Sequence, residues 1–190
     1  GRINTKDVVV RGQRFYDATR NMYPANFSVQ SGLIGSETLT FGGSNDTFNT
    51  MVADESGFTS VALSNVILAD GSNGGLASNY NLLSADFQIQ KRPLAVQVQR
   101  QYNGTATFSS TDDVFFEFQT MSSPPANLVG RTGVGLETLS LTGTGTTAGS
   151  AVNAGSYNIS GFTLADGTAA SSNYTITGNV RGVIQQRILD

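Results

Sequence analysis

The 190-residue sequence predicts an all-β protein made of two tandem Ig-like β-sandwich repeats that form an elongated rod. Three observations lead to this prediction. The chain repeats itself once, with a period of about 95 residues. Its apolar segments are short, rich in β-branched or aromatic residues, and bounded by Gly, Asn, Asp and Ser. No segment keeps the i, i+3, i+4, i+7 apolar spacing for the length that a helix needs.

The repeat consists of five blocks that return in the same order. Blocks 14–19, 35–41, 68–71, 78–80 and 89–94 return as 100–105, 135–141, 164–167, 172–174 and 184–189. The boundary is expected near Arg92-Pro93, which gives a first unit at 1–92 and a second at 93–190. Because residues 3–6 resemble 89–92, the opening residues are expected to continue from a preceding unit of a longer array.

Strands are expected wherever short apolar runs lie between turn-forming residues. The predicted strands include 8–10, 58–63, 66–68, 94–99, 157–159 and 174–176. Residues 94–99 alternate with period two directly after Pro93, which is tolerated where a strand begins. Six to eight such strands per unit fit a two-sheet sandwich, and a β-grasp-like unit is the alternative because one sequence does not reveal strand order.

The most conspicuous motif combines Tyr with a turn. Tyr16-Asp17-Ala18-Thr19 corresponds to Tyr102-Asn103-Gly104-Thr105, and Asp or Asn at the second position favours a tight turn. Tyr16 and Tyr102 are expected to be buried core anchors, with a carbohydrate platform as the alternative. Asp70 and Asp166 each precede Gly and are also interpreted as turn residues, since a calcium loop needs several oxygen ligands at fixed spacing.

The second unit is longer than the first between two motif positions. Tyr16 and Glu37 are 21 positions apart, whereas Tyr102 and Glu137 are 35 apart, so the second unit carries 14 additional residues. This insertion is placed at about 106–134. If the two units differ in function, the insertion is where the difference is expected.

The insertion contains the candidate ligand-contact residues Phe115, Glu117 and Phe118. Strand alternation sets Phe115 apart from Val114, Phe116 and Phe118, so Phe115 is expected to face outward between polar neighbours. An exposed Phe could stack on a ligand or on an adjacent unit. The alternative is an added edge strand that packs both faces internally.

Composition excludes several kinds of chemistry. The chain has no His and no Cys, so histidine bases, thiol nucleophiles, disulfides and the common zinc and copper sites are ruled out. The acidic pairs Asp54-Glu55 and Asp112-Asp113 do not suit a glycosidase, because neighbouring strand residues point to opposite faces. We therefore expect no enzymatic activity, no cofactor and no metal site.

Charge and hydropathy limit the partners. A net charge of -3 without basic clusters does not favour nucleic acid, and no apolar run is long enough for membrane insertion. Charged residues make up only 13%, about half the usual share, so the surface is mainly hydroxyls and amides. Such a surface is common in extracellular β proteins.

The motifs resemble the YDG/MBG-type domains that occur in tandem in bacterial filamentous haemagglutinin-like secreted adhesins. The likeness rests on residues 92–94, on Tyr16-Asp17-Ala18-Thr19 with its counterpart at 102–105, and on 79–82 with 173–176. Ala18, Asn103 and the insertion depart from the pattern. These departures put any shared site in doubt, and no catalytic residues come with the family.

The resemblance implies a structural and adhesive stalk repeat, displayed outside the bacterium or on its outer-membrane surface. Cell adhesion, aggregation and biofilm formation would be the roles of such a protein. Its partners would be neighbouring repeats of the same chain, together with surface glycans or matrix proteins. The alternative from another class is a glycan- or protein-binding module that uses the insertion of the second unit.

Overall fold

The computed structural model describes residues 4–42, 46–47, 52–53, 57–118, 134, 137–147 and 152–188. Strands dominate these residues, the helical segments among them are short 3-10 turns, and the protein is therefore all-β. The chain divides into two compact units, 1–90 and 91–190, so the division lies two residues before the predicted boundary. The units are named unit 1 and unit 2 and are described separately.

Unit 1 contains eight strands in the described residues. They are β1 (Lys6–Phe15), β2 (Asn21–Met22), β3 (Phe27–Ser31), β4 (Leu39–Gly42), β5 (Asp46–Thr47), β6 (Thr59–Ser60), β7 (Ile67–Asp70) and β8 (Tyr80–Gln90). The main sheet has the order β3-β1-β8-β6, while β2 pairs with β5 and β4 with β7. The long strands β1 and β8 run parallel, from the pair Lys6↔Tyr80 to the pair Phe15↔Gln90. Leu83 lies at the register shift between them and is exposed.

The core of unit 1 lies along the inner faces of β1 and β8. Alternation of apolar residues on each strand buries Val8, Val10, Phe87 and Ile89 almost completely. Gly12 makes room for aromatic rings above the sheet, because a Cβ there would lie 2.5 Å from a ring carbon of Phe87. The absence of a side chain at this position therefore lets the rings approach the backbone.

Unit 2 contains seven strands in the described residues. They are β9 (Arg92–Gln101), β10 (Thr107–Ser109), β11 (Asp113–Phe118), β12 (Leu139–Thr147), β13 (Gly155–Asp166), β14 (Tyr174–Ile176) and β15 (Val180–Gln185). Six of them follow the order β10-β12-β13-β15-β9-β11, and β14 pairs with β9. The strands β15 and β14 both run parallel to β9.

The core of unit 2 is centred on Phe108, which is fully buried on the short strand β10. Its ring lies over Gly182 of β15, where an added Cβ would come within 2.8 Å of the ring. Leu94, Val98 and Ile184 complete the most deeply buried set. Strands β12 and β13 lie between β10 and β15 in the sheet order. Because Phe108 of β10 nevertheless contacts β15, the sheet must curl over its core.

Several predicted strands differ in their bounds. In the predicted strand 58–63 only Thr59–Ser60 pairs, and a 3-10 turn occupies Leu63–Asn65. Strand β9 begins before Pro93 rather than after it, and Pro93 is tolerated as the second residue because the ladder is only starting there.

The pairing around the first strand of each unit narrows the predicted place of the insertion, about 106–134, to the residues that follow β11. Strand β3 pairs antiparallel with β1, where Gly12 is opposite Phe27. In unit 2, β11 pairs antiparallel with β9, where Val98 is opposite Val114. Since Val98 is the counterpart of Gly12, β11 is the counterpart of β3 and is not an inserted strand.

The additional residues therefore follow β11. Three positions separate Ser31, the end of β3, from Ile34, whereas sixteen separate Phe118, the end of β11, from Val134. The amides of Ile34 and Val134 both donate to the equivalent Tyr, which fixes their correspondence. Thirteen of the fourteen additional residues thus belong to 119–133, outside the described residues. Counting between motifs set the size of the insertion but not its position.

Candidate functional sites

A Tyr–Glu hydrogen bond recurs in both units. The Tyr80 hydroxyl donates to Glu37 Oε2 and accepts from the Ile34 amide at 3.2 Å. In unit 2 the Tyr174 hydroxyl donates to Glu137 Oε2 and accepts from the Val134 amide at 3.0 Å. The hydrogen bond to Glu37, and then burial, raise the pKa of Tyr80. Each Tyr therefore ties the first residue of a strand to a distant loop.

Sequence reasoning did not identify this Tyr–Glu pair. Glu37 and Glu137 lie in one repeated block of the sequence, and Tyr80 and Tyr174 lie in another. Their joint recurrence was the available signal, because two polar residues preserved together in both units suggest a contact. In each unit the pair joins the first residue of a strand to a loop.

The Arg before the Tyr motif forms a clamp on the turn of unit 1. Arg14 is buried, and its guanidinium donates to the carbonyl oxygens of Asn21 at 2.7 Å, Thr19 at 2.8 Å and Phe15 at 3.1 Å. Asp17 Oδ1 lies 2.8 Å from Arg14 Nη1 and also accepts from the Thr19 amide and hydroxyl. Burial lowers the pKa of Arg14, and the charge of Asp17 partly offsets this effect.

The clamp of unit 2 keeps the bonds of the two terminal guanidinium nitrogens, lacks a bond from Nε among the described residues, and has Asn103 where unit 1 has Asp17. Arg100 is buried and donates to Gln101 O at 3.0 Å, to Thr105 O, and to Asn103 Oδ1 at 2.7 Å. Its guanidinium lies 4.7 Å from the ring centroid of Phe108. Asn103 Oδ1 also accepts from the Thr105 amide and hydroxyl, as Asp17 does from Thr19.

The two tyrosines of the motif have different environments. Tyr16 is 3% exposed, whereas Tyr102 is 41% exposed, so the prediction of a core anchor is wrong for Tyr102. Their backbones agree, because each amide donates to the carbonyl of the last β8 or β15 residue, Gln90 or Gln185. The motif sets the backbone hydrogen bond, while burial of the ring depends on neighbours outside the motif.

Asp70 and Asp166 cap the segments that follow them. Asp70 Oδ1 accepts the Ala77 amide at 2.7 Å, and Asp166 Oδ1 accepts the Ser171 amide at 2.7 Å and the Ser171 hydroxyl at 2.6 Å. The Ser171 hydroxyl, followed by its amide, lowers the pKa of Asp166. Both carboxylates therefore hold the backbone of the segment that follows them.

The predicted contact residues lie on β11. Phe115, Glu117 and Phe118 have Gln97, Ala95 and Leu94 as their partners on β9, and β11 ends the path of the sheet. The side chains of all three lie outside the described residues, so the predicted outward face of Phe115 stays a prediction. Phe116, between them, is buried.

A groove of unit 1 runs between β3 and β4. It has a volume of about 590 Å³ and is lined mainly by apolar side chains and threonines, including Phe27, Val29, Leu33, Leu39 and Phe41. The rings of Phe27 and Phe41 lie 5.9 Å apart. The lining residues that the structure describes carry no charged side chain. The groove could receive an apolar or hydroxyl-rich group.

A smaller groove in unit 2 is more polar. It has a volume of about 360 Å³ and lies between β13 and β14, where Phe162, Leu164 and Ile176 meet Ser171 and Lys91. Lys91 has its own interaction within the chain. This groove is open and shallow, and the side chain of Lys91 lines it.

Of the two acidic pairs, only Asp112-Asp113 lies in the described residues. Asp112 Oδ2 accepts the Ser109 amide at 2.8 Å and so closes the turn between β10 and β11. Asp54 and Glu55 lie outside the described residues. Within the part of the chain that the structure describes, no group of three or more Asp, Glu, His or Cys could hold a metal. No helix there is long and apolar enough to cross a membrane.

Fold and motif residues together define an all-β protein of two compact units, in which the repeated polar residues hold turns and loops. No family model matches the chain, and neither a curated protein nor a solved structure matches it. The resemblance to YDG/MBG-type repeats therefore rests on the motif residues alone.

Proposed function

We propose that the chain is a structural and adhesive stalk segment of a large bacterial cell-surface or secreted adhesin. Attachment of cells to surfaces or to one another, as in aggregates and biofilms, would be its role. The observation that carries this proposal is the recurrence of one set of contacts, the Arg clamp, the Tyr–Glu bond and the Asp cap, in both units. Each contact stabilises the unit, as expected for a repeat selected for stability.

In this proposal both units are repeats of one fold. For that fold we favour the β-grasp-like alternative over an Ig-like sandwich. The first and last long strands of each unit are adjacent and parallel, β1 with β8 and β9 with β15. Ig-like sandwiches consist of antiparallel sheets. Parallel neighbours need a long connection between them, and here that connection supplies the remaining strands.

Several features support a stalk role. Only Lys91 separates β8 from β9, so little free chain joins the units. Tandem units that contact only their neighbours form a quasi-one-dimensional array. The low charge and the many hydroxyl and amide side chains suit an extracellular rod that must stay soluble at length. No enzymatic activity and no cofactor belong to this proposal.

Small-angle X-ray scattering tests the stalk proposal. The maximum dimension of the purified chain is compared with that of a chain in which residues 4–188 occur twice in tandem. A stalk predicts that the dimension nearly doubles while the cross-section stays constant. A compact four-unit particle would contradict the proposal.

A binding module is the second candidate, and the apolar groove of unit 1 is the observation that favours it. Its volume lies within the usual range for ligand sites. The additional residues of unit 2 are the second place to test. Deleting all of 106–134 would remove the buried Phe108, so a sharper variant replaces only 119–133 by the Gly-Leu that joins β3 to Ile34 in unit 1.

The binding test screens glycans and matrix proteins, with calcium and with chelator. Three proteins are compared: the chain itself, the 119–133 replacement, and Phe41→Ser in the groove. Saturable binding that one variant alone loses would assign the recognition surface to that place. No binding by any folded protein at tens of micromolar would leave the stalk role as the function.

A further inference from the structure

The two Arg clamps differ in the charge of the residue that faces the guanidinium and in the partner of Nε, which in Arg14 donates to Asn21 O at 2.7 Å. Arg14 Nη1 lies 2.8 Å from the carboxylate of Asp17, whereas Arg100 Nη1 lies 2.7 Å from the amide oxygen of Asn103. Arg100 is only 8% exposed, and its Nε has no hydrogen-bond partner among the described residues. A buried cation without an opposite charge is costly.

Three donors converge on the side-chain oxygen of Asn103. Arg100 Nη1 lies 2.7 Å away, the Thr105 hydroxyl 2.8 Å, and the Thr105 amide 3.1 Å. Donors arranged in this way stabilise negative charge that develops on a carbonyl oxygen when its carbon is attacked. The oxygen of Asn103 is therefore held as an oxyanion would be held.

The residue that follows supplies the attacking group. Gly104 has φ +79, no side chain of its own, and open space where a Cβ would lie, with no atom beyond its chain neighbours within 4 Å of that position. Asn103 and Gly104 are both exposed, so water reaches the site and ammonia can leave it. At the equivalent position of unit 1, Ala18 adopts φ 60 and follows an Asp that is already charged.

We infer that Asn103 is a site of spontaneous deamidation that supplies the missing counter-charge to Arg100. The Gly104 nitrogen attacks Asn103 Cγ, the new C–N bond closes a succinimide, and the Cγ–Nδ2 bond breaks so that ammonia leaves with the amide proton. Water then adds to Cγ, the bond from Cγ to the Gly104 nitrogen breaks, and an aspartate forms. The product reproduces the Arg14–Asp17 pair of unit 1.

The clamp should also influence which product forms. Water can instead add to the backbone carbonyl of the succinimide, which yields isoaspartate and reroutes the chain through the side chain. The donors from Arg100 and Thr105 hold the side-chain oxygen in the position where Asp17 Oδ1 lies in unit 1. Aspartate fits these donors, whereas isoaspartate displaces them, so the folded chain should favour aspartate.

A second Asn-Gly pair provides an internal control. Asn73-Gly74 is equally exposed, and Gly74 also has positive φ, at +88. There the side-chain nitrogen, rather than the oxygen, is held, since Asn73 Nδ2 donates to Ser36 O at 3.0 Å. The two sites share the reactive dipeptide and differ in the donors on the amide oxygen and in the backbone of the Asn, since Asn73 itself adopts φ 56.

Peptide mapping by mass spectrometry tests the inference. The native chain and the urea-unfolded chain are incubated in the same mildly alkaline buffer, and loss of amide is followed at Asn103 and Asn73. We expect Asn103 to react several-fold faster than Asn73 in the native chain and at a similar rate in the unfolded chain. Aspartate should exceed isoaspartate at Asn103 more in the native chain than in the unfolded one.

Thr105→Val removes one of the three donors and keeps the size of the side chain. We expect it to slow the reaction at Asn103 and to leave Asn73 unchanged, and urea unfolding followed by circular dichroism reports whether unit 2, which contains Thr105, is still folded. If native Asn103 reacts no faster than native Asn73, the clamp protects the amide and the inference is wrong. An unchanged rate at Asn103 in folded Thr105→Val would also overturn it.

Discussion

The hydroxyl of Tyr80 donates a hydrogen bond to the carboxylate of Glu37, 43 positions earlier in the chain. Tyr174 and Glu137 make the same contact in unit 2 across 37 positions. Each Tyr is buried and begins a strand directly after a 3-10 turn. The contact therefore closes a large loop of chain around the core of each unit.

Removing the hydroxyl should destabilise the unit that contains it. Tyr174→Phe leaves Glu137 without this donor and the Val134 amide without its acceptor, and unsatisfied partners of this kind cost about 1–3 kcal/mol. Tyr80→Phe should act in the same direction. Urea unfolding followed by circular dichroism measures the free energy. Tyr102→Phe is the control, since Tyr102 is largely exposed, and it should change stability little.

Alkaline pH should reveal the same contact. The pKa of Tyr80 is raised in the folded chain, so folding favours the protonated phenol. This contribution to stability is complete below the unfolded pKa of about 10 and is lost as pH rises through the higher folded value. The free energy of unfolding is measured near pH 8 and above pH 10 for both proteins. Its fall between the two pH values should be smaller in Tyr80→Phe than in the unsubstituted chain. An equal pH effect in both proteins would contradict this assignment.

The glycines after the capping Asp residues should not tolerate a side chain. A Cβ on Gly71 would lie 2.1 Å from the Thr38 carbonyl oxygen, and one on Gly167 would lie 2.3 Å from that of Thr138. Gly71→Ala and Gly167→Ala should each cost about 1–3 kcal/mol, because the backbone must shift. Gly42→Ala is the matched control, since its nearest atom, Ala69 Cβ, is 3.9 Å away. In thermal unfolding, the midpoint temperature should fall for Gly71→Ala and Gly167→Ala and stay nearly unchanged for Gly42→Ala.

The all-β class could be predicted from the sequence because strand length and turn residues are local properties. Turn roles for Asp17 and Asp70 were accessible for the same reason, as both accept amides within seven residues. The parallel pairing of β1 with β8 could not be predicted, because it joins strands about 74 residues apart and alternation is the same in parallel and antiparallel strands. Long-range pairing leaves little trace in one sequence.

The candidate site shows the same division. The Tyr motif was recognised, but the exposure of Tyr102 was not, since burial of a ring depends on residues that the motif does not contain. Phe115 was assigned to an insertion because the interval between Tyr102 and Glu137 was known only by its length. Pairing of β11 with β9 placed the extra residues after Phe118 instead.

Acid should weaken the cap of unit 2. The Ser171 hydroxyl and amide lower the pKa of Asp166 below its unfolded value of about 3.9, so folding favours the carboxylate. The stability from this group is present above that unfolded value and is lost as pH falls through the lower folded one. Ser171→Ala removes the largest cause and should reduce the pH effect. Urea unfolding at neutral pH and at acid pH compares the two proteins.

Replacing Asp17 by Asn should leave Arg14 facing an uncharged amide, as Arg100 faces Asn103 in unit 2. Asp17→Asn keeps an oxygen for the Thr19 amide but leaves Arg14, whose side chain is 6% exposed, without its carboxylate. Losing one partner of a buried pair can cost about 3–5 kcal/mol, and because Asp17 is 28% exposed we expect a smaller loss of about 1–2 kcal/mol. Asp86→Asn is the control, since its partner Arg11 lies farther away, at 3.7 Å, and has a 47% exposed side chain. Denaturant unfolding should therefore separate Asp17→Asn from Asp86→Asn, and an equal effect of the two would mean that the carboxylate of Asp17 does not stabilise the buried guanidinium.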